Sequence, residues 1–136
     1  MNKKFVVLLV LAFLMVIAVP SYALDLVESK PKNADQGVAL DSEIYLLFDK
    51  NVVNFKIKDN NARCFTLLDD RNQVVPIEVI FADDQIEPEK RNEIIIKPQE
   101  LLKSGTTYKL EVSPELQAKN GTSLEKKLAI SFVTAK

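Results

Sequence analysis

From Leu24 onward, apolar residues recur at every second position in short runs, and turn-forming residues break each run. Glu43-Ile44-Tyr45-Leu46-Leu47-Phe48 sets Ile44, Leu46 and Phe48 on one side. Phe65 with Leu67, then Val75, Ile77, Val79 and Phe81, then Tyr108, Leu110 and Val112, then Leu128, Ile130 and Phe132 repeat the pattern. Period two is the signature of a strand with one buried face. No part of this region carries the 3.6-residue stripe of a long packed helix; residues 99–103 and 114–118 are expected to make single helical turns at most.

The breaks between runs have their own chemistry. Asp69-Asp70-Arg71-Asn72 reads as a turn, because Asp and Asn side chains bond backbone two residues on. Asn120-Gly121 is a tight-turn pair, both residues tolerating positive φ. Pro98 stops the strand that runs from Glu93. Pro76 has no N–H to donate, so the strand over 73–82 belongs at an edge or on a bulge. Residues 83–92, polar and containing Pro88, form the longest expected loop, and residues 25–29 can add an edge strand. About seven strands, each needing to bury one face, predict an all-β antiparallel sandwich of two sheets, with a barrel as the alternative.

Ahead of this region lies a segment of different character. Lys3 and Lys4 precede an unbroken apolar run over 5–19, Pro20 ends it, and Ser21-Tyr22-Ala23 places small residues where a signal peptidase reads. That is the layout of a secretory leader, so residues 1–23 are expected to be removed and the mature chain to begin at Leu24, outside the cytoplasm. The alternative is a retained membrane anchor. The run is short for one, since a spanning helix needs about 20 apolar residues, and no basic cluster follows it.

Composition narrows the chemistry. The chain of 136 residues has 18 basic and 19 acidic side chains, interspersed, so there is no basic stripe for nucleic acid. It contains no His and one Cys, which excludes zinc sites built from those ligands and nucleophile systems that need an imidazole base. Cys64, in the strand-like run Arg63-Cys64-Phe65-Thr66, is expected to be a small buried hydrophobe rather than half of an intermolecular disulfide. The three glycines all sit in expected turns, and none belongs to a phosphate loop. No cofactor is expected, with calcium as the one open option. Asp69, Asp70, Asp83 and Asp84, together with Asp49, are clustered acids in turns, although none follows a D-x-D-x-D-G pattern.

Four pieces of the chain together resemble a known family. Residues Pro31-Lys32-Asn33-Ala34-Asp35-Gln36-Gly37-Val38 resemble its opening turn. Leu40-Asp41-Ser42-Glu43-Ile44-Tyr45-Leu46-Leu47-Phe48-Asp49-Lys50-Asn51-Val52 resembles its alternating strand ending in Phe-Asp. Leu102-Lys103-Ser104-Gly105-Thr106-Thr107-Tyr108 resembles the corner before a later strand, and Asn120-Gly121 with Ser131-Phe132-Val133-Thr134 resembles its closing turn and strand. The family is the bacterial Ig-like domain of surface-layer and other cell-surface proteins. The resemblance implies an Ig-like sandwich, with Phe48, Gly105, Tyr108 and Phe132 as structural residues, and carries no catalytic residues. Such domains usually occur in strings, whereas this chain holds one copy.

The expected function is therefore non-catalytic: a secreted or cell-surface domain that contacts an unidentified protein or cell-envelope component, and a membrane only if the leader is kept. Loops at sandwich ends carry recognition. This makes 83–92, with Asp83, Glu87, Glu89 and Arg91, the expected contact loop, while the charged stretch 56–61 is expected to be a solvated loop face. Tyr45 is expected to pack across strands rather than to form a sugar platform. The alternatives are a calcium- or carbohydrate-binding module and a small carboxylate-based hydrolase.

Overall fold

A computed structural model describes residues 23–136; the leader expected over 1–23 lies outside the described residues except for Ala23. Nine strands, β1 Leu26–Lys30, β2 Asp35–Val38, β3 Ile44–Phe48, β4 Phe65–Leu68, β5 Val74–Val75, β6 Ile77–Phe81, β7 Glu93–Pro98, β8 Thr107–Val112 and β9 Leu128–Thr134, form two sheets. One sheet has the order β1-β3-β7-β6 and the other β2-β9-β8-β4-β5. All pairings are antiparallel except β2 with β9, which is parallel. One short helix, α1 (Lys58–Ala62), and a 3-10 turn at Pro88–Lys90 complete the described secondary structure. Among the described residues no helix is long and apolar enough to cross a membrane.

The core is what period two dictates. Ile44, Leu46 and Phe48 of β3 and Ile94 and Ile96 of β7 face Leu67 of β4, Leu110 and Val112 of β8, and Ile130 and Phe132 of β9, all buried. Each large side chain removed from water in this way contributes about 1.5–3 kcal/mol. The Tyr108 ring stacks on Phe132 at 5.8 Å between centroids, adding to area burial an offset aromatic contact. Cys64 is buried, and burial pushes its thiol up from the ordinary range.

The strand count exceeds the expected seven because the chain twice changes sheets where one element was expected. Residues 73–82 divide at Pro76. β5 pairs with β4 in one sheet, and β6 pairs with β7 in the other. Both pieces are edge strands, which is where a residue without an N–H can sit. The entry segment divides likewise. β1 lies on one sheet against β3, while Asp35–Val38, expected to be a turn, adds β2 beside β9. Only Asp35↔Phe132 and Val38↔Thr134 pair there, with Gly37 between them at φ 66, so its signal in the sequence is weak.

Two expected helical turns do not form. Over 99–103 the backbone donors go elsewhere: Gln99 N–H to Pro76 O and Leu102 N–H to Leu40 O. Over 114–118 a single turn, Leu116 N–H to Ser113 O, gives way to a bridge between Gln117 and Ser123.

Candidate functional site

Three connections and the N-terminal entry meet at one end of the sandwich: residues 49–64 between β3 and β4, 82–92 between β6 and β7, and 113–127 between β8 and β9. The first and third exceed 83–92, which was expected to be the longest. Three asparagines hold this end together. Asn51 accepts Val53 N–H and Asn54 N–H on its Oδ1 and donates from Nδ2 to Asp84 Oδ2 at 3.0 Å. Asn54 donates to the same oxygen at 2.8 Å and accepts Lys56 N–H. Asn61, fully buried in α1, donates to Val52 O and Gln117 O and accepts Gln117 N–H. The stretch 56–61 is thus not a solvated loop face throughout: Ile57 and Asn61 point inward, and their burial against neighbouring loops creates the helix.

Asp84 is the hub of this arrangement. The Asn54 and Asn51 amides hold its carboxyl below the ordinary value of 3.8, Gln85 and the nearby Lys119 adding to them. Asp83 takes a local part. Its side chain accepts Gln85 N–H, and its carbonyl accepts Ile86 N–H and Glu87 N–H, which shapes the turn after β6. Arg91 closes the loop on itself through Pro88 O and offers its own carbonyl to Val52 N–H. Glu87 pairs with Lys90 at 3.4 Å, and Glu89 is exposed. The four residues of the expected contact loop therefore share one end of the fold with 51–57.

What these bonds present is apolar. Phe55 occupies the turn between buried Asn54 and buried Ile57 and is 75% exposed. Ile86, on the loop that Asp84 ties to this one, is 78% exposed. Beside them a hollow of about 230 Å³ is lined by Val53, Phe55, Lys58, Phe81, Asp83 and Asp84. The Lys58 ammonium lies 5.8 Å from the centre of the Phe81 ring, a cation over an aromatic face. The sequence does not single out Phe55, because a lone aromatic in a charged stretch has no period to mark it. The amide-rich spacing Asn51, Asn54, Asn60, Asn61 was the available signal.

The other expected site residues lie elsewhere. Asp69 and Asp70 are in the β4–β5 turn at the opposite end, so they are not brought near Asp83 and Asp84. Asp69 accepts Arg71 N–H and Gln73 N–H, and these, with the Gln73 bond foremost, hold its carboxyl low. Among the described residues no three of His, Cys, Asp or Glu converge as a metal-ligand group. Burial works to raise the Asp49 carboxyl, but Asp25 N–H and Lys50 outweigh it and keep it below its ordinary value. Tyr108 is buried, and its phenolic oxygen accepts Lys103 N–H at 2.8 Å. Gly105 turns at φ 56 just before it, and its N–H donates to Ala135 O. Tyr45 stands on the outer sheet face between Lys30 and Ile95 and donates to Glu93 at 3.0 Å.

Comparison with known proteins bears on the same architecture. Residues 21–134 match a family described as a bacterial Ig-like domain. No curated protein matches the sequence. Among solved structures, CopC from Methylosinus trichosporium superimposes with a TM-score of 0.57 at 18% identity, covering 82% of this chain and 93% of that one. The N-terminal part of the bacterial S-layer protein SbsC gives 0.56 at 14% identity, over 84% of this chain and 24% of that one. An L,D-transpeptidase from Mycobacterium tuberculosis gives 0.53 at 11% identity, over 81% of this chain and 39% of that one. The chain thus spans about a quarter of the S-layer fragment and well under half of the transpeptidase. At these identities the likeness is one of fold.

Proposed function

Because the chain belongs to the bacterial Ig-like domain family, we propose that it is a non-catalytic extracytoplasmic module that docks a protein or cell-envelope component through the loop end of its sandwich. The leader-like residues 1–23 and the S-layer neighbour favour that location. The carrying observation is Phe55: a large aromatic residue three-quarters exposed on a loop fixed by Asn51, Asn54 and Asp84. An exposed ring on a preorganised loop loses little entropy on binding, which is how aromatic anchors serve as hot spots. Ile86 and the neighbouring hollow extend the apolar area, and Asp83 and Lys58 supply a charged rim. The reading uses no cofactor and no catalytic residue.

The test uses the mature chain, 24–136, as bait in an envelope extract, beside Phe55→Ser and Ile86→Ser. Capture of a component by the native chain, lost in both variants while their circular dichroism and melting temperature are unchanged, is the expected result. Capture that both variants retain overturns the assignment of this surface. Hydrolysis of a cell-wall glycan by the purified chain overturns the non-catalytic reading, and a calorimetric calcium signal abolished in Asp84→Asn returns the module to metal binding.

A further inference from the structure

The fold begins at the bond where the leader is expected to be cut. Leu24 is completely buried in the core. Its N–H donates to Ser123 O at 3.0 Å. The carbonyl of Ala23, on the other side of the bond, accepts the Lys50 ammonium at 3.1 Å. Asp25 is pinned twice by Asp49, its N–H to Oδ1 and its carbonyl to the Asp49 N–H, each at 3.0 Å. A peptidase must draw the residues on both sides of its target into an extended strand within its own cleft. Here the residue after the bond is a core side chain, and the backbone around it is bonded to two separate loops.

From this we infer that the Ala23–Leu24 bond can be cut only before the sandwich closes, and that closure seals any uncut chain against processing. The inference rests on the leader reading of 1–23. In the cut, water adds across the peptide bond. Its hydroxyl goes to the Ala23 carbonyl carbon, which leaves with the leader as a carboxylate. Leu24 nitrogen takes the proton and is an ammonium at neutral pH. That new terminus needs no rearrangement. Its side chain fills the core site already described, its nitrogen still donates to Ser123 O, and the Asp49 carboxylate one residue on offsets the added positive charge. Lys50 loses the Ala23 carbonyl and keeps Asp49 Oδ2 at 3.1 Å. Folding and cutting therefore compete, and the loser is fixed. A chain that folds first keeps its apolar leader, attached at the same end as Phe55.

The experiment compares three full-length chains in detergent with signal peptidase, following the new N-terminus by mass spectrometry. The first is the native sequence, folded. The second is Leu110→Asp, which puts a charge at a fully buried position and prevents closure. The third carries Gly-Ser-Gly-Ser inserted between Ala23 and Leu24, which moves the target bond out of the fold and leaves Ser21-Tyr22-Ala23 intact. Cutting after Ala23 should be slower in the folded native chain than in either of the others, by on the order of tenfold or more, because only the rare opened state is a substrate. Equal rates in all three overturn the inference. Resistance of the linker chain beside a readily cut Leu110→Asp overturns it as well, because the burial of Leu24 would not then be the cause. No cutting after Ala23 in Leu110→Asp removes the leader reading itself.

Discussion

The two ends of the sandwich are closed by different means. At the end holding the β4–β5 turn, the turns are shaped locally, Asp69 bonding Arg71 and Gln73 and Tyr108 taking the Lys103 N–H five residues away, while backbone (Leu102 N–H to Leu40 O) and the Thr134 hydroxyl (to Lys103 O) join its loops. At the other end side-chain amides join distant loops. Asn61 reaches Gln117 across 56 residues, and Asn54 reaches Asp84 across 30. A local bond forms wherever its own turn forms. A distant one needs both loops placed first, and it fixes them in return. Because amide and carboxylate groups do the holding at the loop end, apolar side chains there are not all needed inside. Phe55 and Ile86 remain outside on a surface that these bonds hold.

Breaking one bond should therefore cost more at the loop end. Asn61→Ala removes the partner of Val52 O, Gln117 O and Gln117 N–H in one step. Each buried backbone group left unpaired costs about 1–3 kcal/mol, and some regain water, so we expect a loss of about 3 kcal/mol by urea unfolding. Tyr108→Phe removes one acceptor, that of the Lys103 N–H, and leaves the ring on Phe132. We expect about 1 kcal/mol and an unchanged fold. If Tyr108→Phe proved the costlier of the two, the contrast between the ends would fail.

Acid offers a milder way to separate them. The carboxyls of Asp84 and Asp69 are both held below the unfolded value. Such a group contributes stability that is fully present above the unfolded carboxylate range and is lost as pH falls through the lowered folded value. The loss therefore begins below about pH 4 and is absent at neutrality. Protonated Asp69 leaves a turn still held by its two flanking strands. Protonated Asp84 weakens the tie between two loops. Amide hydrogen exchange at pH 3 should show faster opening at Val53, Asn54 and Lys56 than at Arg71 and Gln73, each corrected for its intrinsic rate. Asp84→Asn should reduce that pH dependence. Equal protection at the two ends would remove the distinction.

The same difference explains what the sequence could disclose. The turn end was legible because its devices are local: Asp69-Asp70-Arg71-Asn72, Leu-x-x-Gly before Tyr108, and the alternation of β3, β8 and β9 each lie within one short window. Pro76 announced an edge but not that two edges of different sheets meet there, since pairing partners lie outside any window. The loop end was largely hidden. Nothing near Asn61 says that it will be buried, because its partners are Val52 and Gln117. An Asn beside Lys58 and Asp59 has the same composition as a solvated loop. The expected contact residues Asp83, Glu87, Glu89 and Arg91 share this end with Phe55, which lies on the loop beside theirs.

The finest test of the comparison lies within that loop, at two apolar residues two positions apart. Ile57 is 7% exposed and Phe55 is 75% exposed. If the loop is held by its amides and by Ile57 beneath, Ile57→Ala should lower stability by about 2 kcal/mol, the lower end for an aliphatic truncation in a core. Phe55→Ala removes more carbon but mostly from water, so the change should stay within about 0.5 kcal/mol. Thermal unfolding of the two variants side by side measures this difference. A Phe55→Ala chain as destabilised as Ile57→Ala would mean that the ring braces the loop, leaving Ile86 as the exposed anchor. A stable Phe55→Ala chain leaves the ring with no part in holding the fold and free for the contact proposed for it.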